Sequence, residues 1–194
     1  LVGAYGAITQ KIIKRLLAFS SINHIGFILL GMMSYKLMSE GTLFFYLIVY
    51  LITTFGIFAV ILNLRTVDGE VIKISDLNGL RFTSRPKAIA LLVFLFSLAG
   101  IPPFAGFFAK FFILSASVNE GLYLLSIIAV ISSVIAAFYY LSVIKNMFFN
   151  ESKTELLLDN NKISSVVFIV SALFVTLFFF YPDPLIDLVD ILFS

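Results

Sequence analysis

Lys110 carries more chemical meaning than any other side chain in this sequence. It follows Gly106 by four positions within the apolar stretch 88–118, flanked by Phe107, Phe108, Phe111 and Phe112. An unpaired ammonium in hydrocarbon costs at least about 2.5–3.5 kcal/mol. Glu120 stands ten residues further on, at the far membrane edge, and nothing closer in that direction can pair with it. A lysine kept at such depth suits a proton carrier, taking up and releasing H⁺ in place. The competing reading is a stem that snorkels toward the nearer interface.

The residues ahead of it favour the proton reading. Stretch 88–118 has 31 residues, roughly 46 Å of helix at 1.5 Å per residue, against about 30 Å of hydrocarbon. Ala99-Gly100-Ile101-Pro102-Pro103-Phe104-Ala105-Gly106 lies near its middle. Pro102 and Pro103 remove backbone donors and clash with the preceding turn, while Gly100 and Gly106 lower helix propensity. A helix break is expected here. In lipid, a broken span survives only where protein or a wet cavity satisfies the freed carbonyls, and transporters place ion sites at such breaks.

Other polar residues sit within apolar stretches. His24 lies about two turns into stretch 16–35, among Ser20, Ser21 and Asn23. Its side-chain type titrates nearest neutrality, which suits a proton relay; a neutral ring satisfied by a neighbouring carbonyl is the alternative. Ser20, Ser21 and Asn23 could line a hydrated path or serve as hydrogen-bond glue between helices. Tyr46 and Tyr50 are four residues apart, on one helical face, and Thr53 and Thr54 continue that polar stripe. Such a stripe could hold water beside Lys110 or simply pack. Tyr139, Tyr140 and Lys145 read as interfacial anchors. Lys11, Lys14 and Arg15 read as orientation signals.

Composition dictates what must position these groups. Of 194 residues, 61% are hydrophobic and 12% charged. Soluble domains run about 45–50% apolar and about 25% charged, so a cytosolic domain is excluded. Five stretches reach the roughly 20 residues a bilayer crossing needs: 16–35, 42–64, 88–118, 122–149 and 163–181. Continuous apolarity rather than alternation excludes an outer-membrane barrel. Ser39-Glu40-Gly41-Thr42, Asn119-Glu120-Gly121 and Pro182-Asp183-Pro184 punctuate the ends. The expected fold is an all-α polytopic membrane protein of about five transmembrane helices, the third broken between Gly100 and Gly106. Residues 1–15 are expected to be the tail of a preceding helix plus a loop, and 16–194 the membrane domain.

Sorting charges over alternating spans puts Lys11, Lys14, Arg15, Arg65, Lys73, Arg81, Arg85, Lys87, Lys145, Lys153 and Lys162 on one side. Lys36 alone falls on the other, with the acidic Asp183, Asp187 and Asp190. By the positive-inside rule the basic side faces cytoplasm or mitochondrial matrix. Leu-Val-Gly-Ala-Tyr-Gly-Ala-Ile at the start has no charged leader and reads as the last turns of an earlier helix. With no cysteine, thiolate-held zinc, iron–sulfur clusters and disulfides are excluded, and one histidine leaves little for a metal site. No P-loop, dinucleotide glycine pattern or nucleophile elbow is present. A net charge of +2 gives no sign of nucleic-acid binding. Asn150-Glu151-Ser152 is a chance sequon on the basic side.

Two long motifs also carry a resemblance. Gln10-Lys11-Ile12-Ile13-Lys14-Arg15-Leu16-Leu17-Ala18-Phe19-Ser20-Ser21-Ile22-Asn23-His24-Ile25-Gly26 resembles a helix of the antiporter-like subunits of respiratory complex I, the proton-pumping NADH:ubiquinone oxidoreductase. Leu98-Ala99-Gly100-Ile101-Pro102-Pro103-Phe104-Ala105-Gly106-Phe107-Phe108-Ala109-Lys110-Phe111 resembles their broken helix, in the version of the subunit 2 branch (subunit N in bacteria). Asp76-Leu77-Asn78-Gly79-Leu80, Pro86 and Tyr139-Tyr140-Leu141 fit too. The sibling subunit 4 usually has Glu where Lys110 stands. The resemblance covers essentially the whole chain.

It implies a fourteen-span fold built on two inverted five-helix repeats, of which this chain would supply the last five spans. Lys110 would be the terminal lysine of a hydrophilic axis, exchanging protons with the P side, with His24 on the path feeding it. The first broken helix, the buried glutamate and the other axis lysines are absent from these residues. A partner chain or segment carrying the preceding nine helices is therefore implied, with other complex I membrane-arm subunits and membrane lipids. NADH, FMN, iron–sulfur clusters and ubiquinone would sit in partner subunits, with no cofactor or metal in this chain. The expected setting is the mitochondrial inner membrane, or alternatively the bacterial plasma membrane. A subunit of a multi-subunit sodium/proton antiporter is the second functional reading, and a structural membrane scaffold the third.

Overall fold

A computed structural model describes residues 1–34, 40–66, 69–151, 156–158 and 161–178. Helix α1, Val2–Ile8, leads through Thr9–Lys11 into α2, Ile13–Met33. With no proline or polar run to interrupt it, α2 buries Leu16, Ser20, Asn23, His24, Phe27 and Leu30 on one face at helical spacing. Ile22, Ile25, Leu29 and Met32 point outward. Helix α3, Glu40–Leu62, runs back.

The connection that follows is not a plain loop. Strand β1, Leu64–Thr66, turns antiparallel onto β2, Gly69–Glu70, and ends the second span two residues before the expected 64. A 3-10 turn over Ile74–Leu77 is tied by the Asp76 carboxylate, which accepts from the Ile72 and Lys73 amides at 3.0 and 2.7 Å. Short helix α4, Leu80–Thr83, precedes α5, Arg85–Ala99, whose first turn holds Pro86, where the missing N–H is not needed. After the break come α6, Ala105–Asn119, and α7, Tyr123–Phe149. Strand β3, Leu156–Leu158, completes the sheet β2-β1-β3, pairing antiparallel with β1. Helix α8, Lys162–Leu177, is capped by Asn161, whose side chain accepts from the Ile163 amide at 3.0 Å.

The expected all-helical body is present; the small sheet is an addition from the two long connections. Three described helices are long and apolar enough to cross a membrane: Ile13–Met33, Gly41–Leu62 and Tyr123–Phe149. The broken third span is divided into α5 and α6, as expected. The loops after α1, α3 and α7 meet at one end. Ile13 and Ile74 amides donate to Ile72 and Lys11 carbonyls at 3.0 and 2.9 Å, and the Gly79 amide to the Asn146 carbonyl at 3.2 Å. The basic residues described in these loops therefore share an end of the molecule. Lys36, Ser39, Ser152, Lys153, the 179–181 end of the fifth stretch, Pro182-Asp183-Pro184 and Asp183, Asp187 and Asp190 lie outside the described residues.

Two apolar clusters stack along the helices. One contains Leu16, Leu17, Val60, Leu91, Phe94, Val143 and Met147; the other contains Phe27, Leu30, Phe45, Val49, Ala105 and Ile113. Outward-facing Phe111, Leu124, Ile127, Val134 and Phe138 are exposed, the surface expected of helices solvated by lipid.

Candidate proton-transfer site

The break explains how a lysine can be kept here. Helix α5 ends at Ala99, and Gly100 takes the left-handed conformation, φ 82°, which glycine adopts at little cost. The Gly100 and Ile101 amides cap the Phe96 and Ser97 carbonyls at 2.9–3.1 Å. In a continuous helix the next two carbonyls, Leu98 and Ala99, would receive the amides four residues on. Those positions are Pro102 and Pro103, which have no N–H.

Lys110 Nζ takes their place, donating to the Leu98 carbonyl at 2.7 Å and the Ala99 carbonyl at 3.2 Å. A third bond goes to Ser133 Oγ on α7 at 3.1 Å, and the ammonium stands 5.2 Å from the Phe27 ring centroid. Carbonyls at a helix C-terminus carry partial negative charge, so they suit a cation. The residue is 4% exposed, so its head does not snorkel out of the fold. Gly106 lets α6 start close to α5: a Cβ there would lie 2.0 Å from the Ser97 carbonyl, and its amide donates to Ser97 Oγ at 3.1 Å.

His24 lies on the other side of a small cavity of about 10 Å³, shared with Tyr46, Tyr50, Thr53 and Lys110. That is room for about one water. Tyr46, Tyr50 and the fully buried Thr53 of the α3 stripe therefore share this cavity with the lysine, whereas Thr54 does not line it. The His24 ring nitrogens share hydrogen bonds with hydroxyls, not carbonyls: Nδ1 with Tyr46 at 2.7 Å and Nε2 with Tyr140 at 3.3 Å. Its ring stacks on Tyr50 at 4.9 Å, and the Tyr50 hydroxyl donates to Ser21 Oγ at 2.8 Å. Tyr140 also bonds Ser20, and Ser132 donates to Asn23 Oδ1. Ser20, Ser21, Asn23 and His24 thus each join a side-chain bond with α3 or α7.

One expectation is corrected. Tyr139 and Tyr140 are not interfacial anchors: they are 2% and 0% exposed, and Tyr140 links Ser20 to His24. Their place near the end of an apolar stretch suggested an edge, but α7 packs that face into the bundle. Lys145, one turn on, is exposed as expected. Ser97, Ser132 and Ser133 carried no sequence signal, because isolated serines in apolar helices usually bond their own backbone. Among the described residues no group of three metal-ligating side chains occurs.

Comparison with known proteins gives this geometry a context. Residues 1–136 match the family described as NADH:quinone oxidoreductase/Mrp antiporter, TM. NADH-quinone oxidoreductase subunit N of Rhodospirillum rubrum is 43% identical over 187 residues, covering 96% of this chain and 38% of that protein. NADH-ubiquinone oxidoreductase chain 2 of Oenothera berteroana is 40% identical over 188 residues, with 95% and 38% covered. A chain in the structure of respiratory complex I from Thermus thermophilus with bound aureothin superposes with a TM-score of 0.84 at 26% identity, covering 96% of this chain and 42% of that one. The chain thus spans well under half the length of these relatives. With its family signature running over most of the sequence and the fold shared, the chain belongs to the NADH:quinone oxidoreductase/Mrp antiporter membrane family.

Proposed function

We propose that this chain is the C-terminal, proton-translocating part of a membrane-arm subunit of an NADH:quinone oxidoreductase, with Lys110 as its proton carrier. The observation that carries the reading is the seat of Lys110. A buried ammonium replaces two deleted backbone donors and keeps its remaining bond for a hydroxyl. In the charged state Nζ holds the Leu98 and Ala99 carbonyls. On losing its proton it keeps fewer donors for those carbonyls, so protonation and the geometry of the break are linked. A distant event that changes the field at Lys110 then changes its proton affinity, which is coupling in the thermodynamic sense. His24, between Tyr46 and Tyr140, relays protons to Lys110 through the small cavity they share.

NADH oxidation, FMN, iron–sulfur clusters and quinone reduction belong in this proposal to partner subunits. The remaining helices of the subunit, on a separate chain or segment, complete the axis. The setting is a multi-pass position in the mitochondrial inner membrane or a bacterial plasma membrane. The sodium/proton antiporter reading ranks second, because the two relatives above are both named as oxidoreductase components. Native electrophoresis of mild-detergent membrane extracts, stained in the gel for NADH dehydrogenase and identified by mass spectrometry, separates the two. Comigration with NADH activity and iron–sulfur proteins is expected. A band without that activity would overturn the oxidoreductase assignment in favour of the antiporter.

A further inference from the structure

The ammonium of Lys110 has no carboxylate partner among the described residues. Its hydrogens go to the Leu98 and Ala99 carbonyls and to Ser133 Oγ, at 2.7, 3.2 and 3.1 Å. One further neighbour carries no acceptor atom: the Phe27 ring, whose centroid lies 5.2 Å from Nζ. A cation within about 6 Å of an aromatic ring face is attracted by the ring quadrupole, more strongly where water is excluded. Lys110 and Phe27 are 4% and 2% exposed, so the pair is shielded from solvent.

Both partners are held in place. Phe27 follows His24 by three positions, one turn further along the same face of α2. Its ring stacks on Tyr46 of α3, with centroids 6.2 Å and planes 16° apart. The Tyr46 hydroxyl is bonded in turn to His24 Nδ1 at 2.7 Å. The lysine stem is as tightly confined: a Cβ on Gly100 would stand 3.0 Å from Lys110 Cδ.

Oxygens and ring respond differently when the proton leaves. The oxygens adapt: the neutral amine keeps two hydrogens for them, and the Ser133 hydroxyl can turn to donate to the amine nitrogen. The ring cannot adapt, because its quadrupole attracts the ammonium and has no comparable attraction for an uncharged amine. The other polar groups facing the lysine are His24 from α2, Tyr46 and Tyr50 from α3, Ser97 from α5 and Ser133 from α7. Helix α8 packs on α6 through Phe178. None of these is a carboxylate that could serve the charged state instead.

We propose that Phe27 is a positioning residue for the charged state of Lys110: its ring face holds the ammonium on the Leu98 and Ala99 carbonyls and lets go of the neutral amine. The ring thereby sets how firmly the proton is kept, while carrying no proton itself. This rests on the proton-carrying role proposed for Lys110.

The test uses the assembled complex in native membrane vesicles, reading protons moved per NADH oxidised across a range of pH. The part of the yield lost in Lys110→Met defines what this site contributes. A carrier that must regain its proton loses that contribution at high pH. In Phe27→Leu the pH of half-loss should fall by about one unit. Phe27→Tyr, which keeps a ring face, should return it to the wild-type value. A trifluorinated phenylalanine placed at position 27 changes the shape little but draws electron density from the ring face. It should move the half-loss in the same direction as leucine, and it decides the matter if Phe27→Leu does not assemble. An unmoved half-loss in either assembled variant, or a tyrosine variant that behaves like leucine, overturns the proposal and leaves Phe27 as packing alone. No drop in yield with Lys110→Met overturns the reading beneath it, so the two failures are distinguishable.

Discussion

Lys110 and Lys87 are both buried, 4% and 5% exposed, and both aim the ammonium at a carbonyl where a helix ends. Lys110 holds the last carbonyls of α5, while Lys87 donates to the Asn63 carbonyl, just beyond α3, at 3.0 Å. The local chemistry is the same, a cation at the negative end of a helix. Their surroundings differ. Lys110 stands in the middle of a broken span, against Ser133 and a cavity it shares with His24. Lys87 stands in the first turn of α5, at the end where the basic loops gather, and ties α5 to α3 beside the sheet. A buried lysine on carbonyls is thus not in itself a proton site; the proposed role of Lys110 rests on its place at the helix break, beside Ser133 and the cavity it shares with His24.

The largest expected effect breaks the comparison at Lys110. Lys110→Met should abolish this site's share of proton movement, measured by a pH-sensitive dye in vesicles, while assembly and NADH oxidation persist. Unchanged proton yield would reduce Lys110 to a packing element like Lys87. Next comes the seat itself. Pro102→Ala with Pro103→Ala restores the amides that Leu98 and Ala99 carbonyls lack, in competition with Lys110. A several-fold slower proton movement is expected, with assembly retained.

Lys87→Met should show the opposite pattern. It leaves a buried carbonyl short of a donor, about 1–3 kcal/mol, so thermal stability of the complex falls while protons per NADH stay constant. A lowered proton yield at normal stability would make Lys87 a second carrier. The smallest effect is expected at the exposed ion pair beside it, Lys14 with Glu70 at 2.7 Å. The Lys14 hydrogen bond, then its charge, holds the Glu70 carboxyl below its usual pKa. The folded carboxylate therefore binds its proton less tightly than the unfolded one. Its contribution is present above the unfolded pKa and is lost as pH falls through the folded value. Glu70→Gln should shift the melting temperature only slightly at neutral pH and low salt. The difference should vanish in acid and in high salt.

Much of the candidate site was legible in the residues. Charge depletion and apolar stretches longer than 20 residues dictate spanning helices, and Gly100, Pro102, Pro103 and Gly106 dictate a break, because propensity and missing donors are local. The depth of Lys110, and Tyr46, Tyr50 and Thr53 on one face, follow from spacing alone. Partners that come from elsewhere in the chain were not legible. Ser133 meets Lys110 across 23 residues, Tyr140 meets His24 across 116, and Leu156 pairs with Thr66 across 90. Tyr140 looked like an anchor and Lys87 like an orientation charge, because hydropathy along one stretch does not report which face another helix covers. The sequence by itself determined where the helices run, where one breaks and which carbonyls are left without donors. Only the tertiary structure decided which side chain supplies the missing donors and which hydroxyls stand next to it, since those choices depend on how separate helices pack.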